Sequence, residues 1–173
     1  GAESGSENSW SVAANWYPSG VPAAGEDVQI PAGSASITGV DTSAVTLGAV
    51  RVDRGYTGTI GSYTASEPTW LTLDCSRFEF AGTGSAYIKF DNAASSPIDG
   101  TITATATPTV AGVYGIYLCG SSWSNLTITG GYAAVSCFDS DSSNTVVTTS
   151  VSSGAVVKLG RLVTATNIEN AGT

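Results

Sequence analysis

The sequence predicts an all-β protein, and within that class a right-handed parallel β-helix. Three observations support this prediction: a composition that disfavours helices, a succession of short strand-like runs, and a spacing of about 20 residues between equivalent runs. A β-sandwich is the alternative, because its strands recur every roughly 8–12 residues and two of them span about the same distance.

The composition is poor in residues that form helices. Only 12% of the residues are charged, about half of the usual ~25%, and methionine is absent. Serine, threonine, glycine and alanine take their place, and this mixture suits short strands and tight turns. No stretch keeps apolar residues at helical spacing over several turns. Hydrophobic residues still make up 42% of the chain, which is enough to build a core.

Residues 1–33 predict an N-terminal cap. They contain Trp10, Trp16 and Tyr17 together with three prolines, and they have few alternating runs. A solenoid has to close its open end, because an exposed end offers unpaired backbone groups to other chains. We therefore expect this aromatic, proline-rich segment to lie over the first coil. The same three aromatic side chains are also a candidate platform for stacking on carbohydrate.

Residues 34–173 predict the β-helix repeat region, in which two interleaved series of apolar runs share one spacing of roughly 20 residues. Runs of the first series begin at Val113, Ala133 and Val156. Runs of the second series lie between them and begin at Leu126, Val147 and Asn167. Two series with one period indicate that each coil contributes strands to the same two faces.

Earlier runs repeat this spacing. The same interval separates the run at Ala49 from that at Trp70, and the run at Thr57 from that at Arg77. We expect roughly six coils from about Ala49 onward, stacked over roughly 30 Å at about 4.8 Å per coil. The chain stops at Thr173 inside this rhythm. We therefore expect that more sequence follows or that another subunit packs against this end.

The three cysteines indicate neither a disulfide framework nor a zinc site, because their number is odd and no CxxC pair occurs. Cys119 and Cys137 each lie in an apolar run, and the distance between them along the chain is close to one coil. A free cysteine behaves as a small hydrophobic residue. We expect both thiols to be buried and unpaired.

The sequence does not predict an enzyme, a metal or a cofactor. It has no histidine, so a Ser-His-Asp triad is impossible. Asp139 and Asp141 precede Arg161 by about one coil, so a polysaccharide-cleaving β-helix would bring these three side chains to one face. An ordinary serine-rich turn has the same composition. The segment that begins at Asp139 does not match an EF-hand loop, because Asn144 stands where that loop needs glycine.

The charge distribution disfavours two classes of partner. The net charge is −8 with only six basic residues, of which Arg51 and Arg54 lie close together in the sequence. A surface that binds nucleic acid needs clustered lysine and arginine, and so does docking on an anionic membrane. No apolar run approaches the ~18 residues of a transmembrane helix.

Three stretches carry a family resemblance. The sequence AANWYPSGVPAAGEDVQIP at 13–31 is similar to the openings of bacterial surface proteins and autotransporter-like β-helices. Together with GYTGTIG at 55–61 and VYGIYL at 113–118, it resembles β-helical structural proteins of tailed bacteriophages. The resemblance implies a virion surface component, such as a fibre or a decoration protein, with no catalytic residues to carry over.

These observations together predict a non-catalytic structural or interaction module of a phage virion, located on the virion or an extracellular surface. Its expected partners are other structural subunits or copies of itself, and a host-surface glycan. A bacterial surface adhesin or filament subunit is one alternative, and a polysaccharide-cleaving β-helix enzyme is another. The candidate surface-binding residues are Trp10, Trp16, Tyr17, Asp139, Asp141 and Arg161.

Overall fold

The computed structural model describes residues 9–37, 42–63, 68–90, 98–103, 115–119, 122–135, 144–159 and 163–170. In these residues one short 3-10 helix, Ala13–Asn15, precedes fourteen strands. The strands are β1 (Val28–Ile30), β2 (Thr42–Val52), β3 (Thr59–Ile60), β4 (Ser62–Tyr63), β5 (Pro68–Thr69), β6 (Leu71–Phe80), β7 (Ser85–Phe90), β8 (Ile98–Ile102), β9 (Ile116–Cys119), β10 (Ser122–Ile128), β11 (Tyr132–Val135), β12 (Asn144–Val151), β13 (Val156–Leu159) and β14 (Val163–Asn170). Nowhere in the described part of the chain is a helix long and apolar enough to cross a membrane.

Twelve of these strands form one sheet that contains two parallel ladders. The first ladder has the order β1-β2-β6-β8-β10-β12-β14, and the second has the order β3-β7-β9-β11-β13. Neighbours in each ladder come from successive turns of the chain, which is the arrangement of a solenoid. The predicted parallel β-helix is confirmed, and the β-sandwich alternative is wrong.

The two series of runs in the C-terminal half correspond to the two ladders. The series that begins at Val113 becomes β9, β11 and β13, and the series that begins at Leu126 becomes β10, β12 and β14. The earlier spacings do not give the register. Val50 pairs with Phe78, beyond the predicted interval, because β4 and β5 form an antiparallel hairpin between β3 and β6. The first ladder also begins at β1, inside the segment 1–33.

The strand β6 belongs to both ladders. Residues 71–73 pair with the end of β7, whereas residues 77–80 pair with β8 and with β2. Burial alternates along the strand and changes phase at Ser76 and Arg77, which are both exposed. The change of phase lets one continuous strand follow the corner of the coil while Leu73 and Phe78 both face the core.

The register stacks inward-facing side chains of successive coils into columns. One column is formed by Val50, Phe78, Gly100, Leu126 and Thr149, and the next by Val52, Phe80, Ile102 and Ile128. All nine residues are buried. The removal of these apolar columns from water is the main favourable contribution to folding, since each coil buries its inner face only against its neighbours.

Gly100 makes room for Trp123, one of two tryptophans among the described residues of the core. A Cβ atom at this position would overlap Cζ3 of Trp123 and lie 3.0 Å from a methyl carbon of Leu126. Trp123 is fully buried, and its ring packs edge-on against Phe90 with 5.1 Å between ring centroids. The indole therefore occupies the space that any side chain at position 100 would fill.

The second ladder is also buried on its outer side at several positions. Tyr87 and Tyr117 are paired in register, stack with 5.4 Å between ring centroids, and are each only 7% exposed. Ala134 follows in the next coil and belongs to the same cluster, which Trp70 joins from the side. These outward-facing residues therefore belong to a second, smaller core.

The cysteines differ from the expectation in one respect. Cys119 is fully buried, as predicted, but it is disulfide-bonded, so the prediction that it is unpaired is wrong. Cys119 faces outward on β9, because side chains alternate along a strand and Ile116 and Leu118 point to the main core. Cys75 is a buried free thiol. Cys137 lies outside the described residues.

Candidate binding groove

A groove of about 490 Å³ lies where the N-terminal segment meets the first coil. One wall is formed by Ser9, Trp10, Asn15, Trp16 and Tyr17. The other wall is formed by Gln29, Ile30, Pro31, Ser34, Ala35, Ser36 and Ile37. Its volume falls in the range of roughly 300–1,000 Å³ that is typical of small-molecule sites.

The N-terminal wall is held by a turn built from short polar residues. The side-chain amide of Asn15 donates to the carbonyl of Ser9 at 2.8 Å, and the Ser19 hydroxyl donates to the carbonyl of Ala13 at 3.3 Å. The backbone N–H of Gly20 donates to the same Ala13 carbonyl at 3.2 Å. Asparagine and serine side chains commonly form such local bonds to the backbone, and these bonds fix the conformation of the segment.

Trp10 anchors this wall to the core. It is 2% exposed and belongs to the main core together with Val28 and Ile30 of β1. Trp16 packs edge-on against it with 4.6 Å between ring centroids, and the Trp16 indole N–H donates to the Trp10 carbonyl at 2.7 Å. Trp10 therefore forms the buried base of this wall. Trp16 is held in one orientation and offers the groove the surface of its ring.

Tyr17 is the exposed aromatic residue of the groove. It is fully exposed, at 101% of the reference value, whereas the preceding Trp16 is half-buried. Both faces of the Tyr17 ring are therefore accessible to a ligand that enters the groove.

The opposite wall is tied to the first coils. Gln29 points outward between the buried Val28 and Ile30, and its amide donates to a carboxylate oxygen of Asp53 at 2.7 Å. The Ser36 hydroxyl accepts a bond from the backbone N–H of Thr59 at 2.9 Å. Both walls are therefore largely preformed, which lowers the entropic cost of binding a ligand.

Among the residues that the structure describes, those that line the groove are all uncharged. Nearby charges are the Asp53 carboxylate, which accepts from Gln29, and Arg51, which pairs with Asp27 at 3.4 Å and with Glu79 at 3.2 Å. These pairs are exposed, so each contributes at most about 1 kcal/mol to stability. The groove combines aromatic surface with hydroxyl and amide groups, and this combination suits an uncharged polar ligand.

The structure brings together three of the six residues that the sequence indicated. Trp10, Trp16 and Tyr17 share the N-terminal wall, whereas Asp139, Asp141 and Arg161 lie outside the described residues.

Sequence reasoning did not identify the opposite wall. Gln29, Ser34 and Ser36 match no motif, because short polar residues after a strand are typical of any loop. The one available signal was the alternation of Val28, Gln29 and Ile30, which places Gln29 on the outward side of a short strand.

No metal site accompanies the groove. Across the described ranges, no group of three or more histidine, cysteine, aspartate or glutamate side chains is placed to hold a metal ion. No protein-family model, curated protein or solved structure matches this chain. The function has to be inferred from the fold and the groove.

Proposed function

We propose that this chain is a non-catalytic structural and interaction module of a phage virion, such as a fibre, a decoration protein or a tail-associated protein. The observation that supports the proposal most strongly is the pair of parallel ladders that runs through successive coils, with Trp10 packed into the same core as β1 at the start of the first ladder. The resemblance of residues 13–31, 55–61 and 113–118 together to β-helical structural proteins of tailed bacteriophages supports it as well.

Parallel ladders suit a structural role because they make an elongated, self-supporting element. The seven strands described in the first ladder are separated by six steps of about 4.8 Å, or about 29 Å in total. Each coil pairs with its neighbours only, so the element extends by addition of coils. Its outward positions in the later coils, such as Thr101, Asn125 and Thr127, carry short polar side chains that suit contact with water or a neighbouring subunit.

The proposed location is the virion or an extracellular surface. The proposed partners are other structural subunits or further copies of the chain, and a glycan on the host surface. The net charge of −8 with six basic residues gives little attraction to nucleic acid or an anionic membrane.

A bacterial surface adhesin or filament subunit is the second candidate. The groove at the N-terminal end favours it, because an adhesin also presents a preformed binding surface on an elongated scaffold. The enzyme alternative depends on Asp139, Asp141 and Arg161, which lie outside the described residues.

The proposal is tested by mass spectrometry of purified particles, cell-surface fractions and filaments from the organism that encodes the chain. We expect the chain in particles, at a fixed ratio to other structural proteins. Recovery from cell-surface filaments and not from particles would replace the virion role with the adhesin role. Turnover of a polysaccharide that Asp139→Asn or Asp141→Asn abolishes would contradict both non-catalytic roles.

A further inference from the structure

We propose that the groove binds a neutral carbohydrate, with the ring of Tyr17 packed against the apolar face of a sugar. The inference deepens the proposed function, since it rests on this module making contact with a surface glycan, and it assigns the ligand class and the residues.

The aromatic part of the groove matches one side of a sugar ring. A pyranose presents a face of C–H groups, and this face gains from contact with an aromatic ring as any apolar surface does. Tyr17 offers its whole ring, and Trp16 offers a ring whose orientation is fixed by the bond to the Trp10 carbonyl. Because the Trp16 ring is already ordered, it loses little side-chain entropy when a ligand binds.

The polar part of the groove matches the hydroxyl rim of the same ring. A carboxamide has two N–H donors and an acceptor oxygen, and the described bond of Gln29 to Asp53 uses one donor. The Ser36 hydroxyl accepts from Thr59, so its proton can still be donated. Asn15 and Ser34 add further amide and hydroxyl groups along the walls.

The absence of charge decides between kinds of sugar. None of the described lining residues is a lysine or an arginine that would bind a uronate, a sialic acid or a phosphate. The overall charge of −8 also repels anions. The groove therefore favours neutral hexose or pentose units over acidic ones.

A proline-rich peptide is the competing occupant, because such peptides dock in aromatic grooves. That mode uses several exposed rings as successive ridges. Here Trp10 is buried, Trp16 is half-buried and Tyr17 alone is fully exposed. The remaining walls carry hydroxyl and amide groups, which match a sugar better than they match proline.

The inference is tested by probing an array of neutral and acidic oligosaccharides with the full chain. The neutral oligosaccharide that binds best is then titrated by calorimetry. A proline-rich peptide is titrated in parallel. We expect binding to a neutral oligosaccharide, and Tyr17→Ala to weaken it roughly tenfold. Because Tyr17 is fully exposed, this variant is expected to keep its thermal midpoint. Tyr17→Phe keeps the ring and is expected to bind like the parent. Val156→Ala removes an exposed apolar side chain on a distant coil and is the matched control.

Four results would overturn the inference: no binding to any neutral oligosaccharide at millimolar concentration, tighter binding to acidic ones, tighter binding to the peptide, or equal affinity of the Tyr17→Ala variant. If the chain is found in particles but binds no neutral sugar, the inference fails and the structural role stands. If it binds a neutral sugar but is absent from particles and surface fractions, the structural role fails instead.

Discussion

Substitution of Gly100 by alanine probes how tightly the coils are packed. The added methyl group would overlap Cζ3 of Trp123 and lie 2.7 Å from its Cε3. Both residues are buried, so neither the ring nor the strand has free space to move into. Gly100 does not lie in the left-handed region, so the alanine backbone is unstrained and the effect is purely steric.

The magnitude follows from two opposing contributions. Overpacking of a well-packed core typically costs about 1–3 kcal/mol. Replacement of glycine by alanine restricts the unfolded chain and returns about 0.4–1 kcal/mol. We therefore expect a net loss of about 1–2 kcal/mol, which lowers the thermal midpoint by roughly 2–8 °C for a chain of this size.

Circular dichroism during thermal and urea unfolding measures the change. Gly33→Ala is the matched control, because a Cβ at Gly33 meets nothing within 4 Å. It is expected to be neutral or to raise stability by up to about 1 kcal/mol. In a Trp123→Leu background the cost of Gly100→Ala is expected to shrink, because the clashing ring is gone. If Gly100→Ala matches the parent in stability, or if its cost is unchanged without Trp123, then the packing described for this column is incorrect.

Three further outcomes are expected from buried polar groups. The Thr149 hydroxyl is buried and has no hydrogen-bond partner among the described residues, so Thr149→Val is expected to raise stability by about 1–2 kcal/mol. Thr127→Val, on the outward side of the ladder, is the control and should change the free energy of unfolding by no more than about 0.5 kcal/mol in denaturant titrations. If the two substitutions change stability equally, the Thr149 hydroxyl is not a buried group without a partner. Burial raises the pKa of the Cys75 thiol to about 12. Maleimide at pH 8 should therefore label it only after unfolding, whereas Cys119 should need reduction as well. Burial also raises the pKa of Tyr56 from its ordinary 10.0 to about 12, so the folded chain retains a proton that the unfolded chain releases. Stability from this group should be complete below about pH 10 and fall as the pH rises to about 12, and Tyr56→Phe should reduce that fall; an unchanged profile would contradict it.

The sequence predicted the fold class well because apolar strands and turn residues alternate visibly along the chain. The two series beginning at Val113 and Leu126 match the two ladders, since the coils that follow have similar lengths. The sequence did not predict the strand register in the first half, where Val50 pairs with Phe78, which lies more than one predicted coil length further along the chain. The pairing of two strands fixes which of their residues are aligned, but it does not fix how many residues the corner between them contains. Coils whose corners differ in length therefore leave no constant period in the sequence.

The groove could be predicted only in part. Aromatic residues near the start of a solenoid indicate a cap, but burial decides which of them reach solvent, and the sequence does not carry that information. Trp10 joined the core because it packs with Val28 and Ile30, whereas Tyr17 points away from it. The second wall depends on the tertiary contact that ties Ser36 to Thr59 of the next coil. The disulfide at Cys119 was missed for a similar reason, because an odd number of cysteines does not show which of them are paired.

The double membership of β6 has a mechanical consequence. In a simple stack, tension applied to the N-terminal end peels away one coil at a time, because each coil holds only its neighbour. At β6 the pulled strand is hydrogen-bonded to β2 and β8 in the first ladder and to β7 in the second. To detach β6, the applied force has to break its pairings in both ladders in the same step. The rod should therefore resist extension most strongly at this corner, so that the coils beyond it stay intact while those before it unravel.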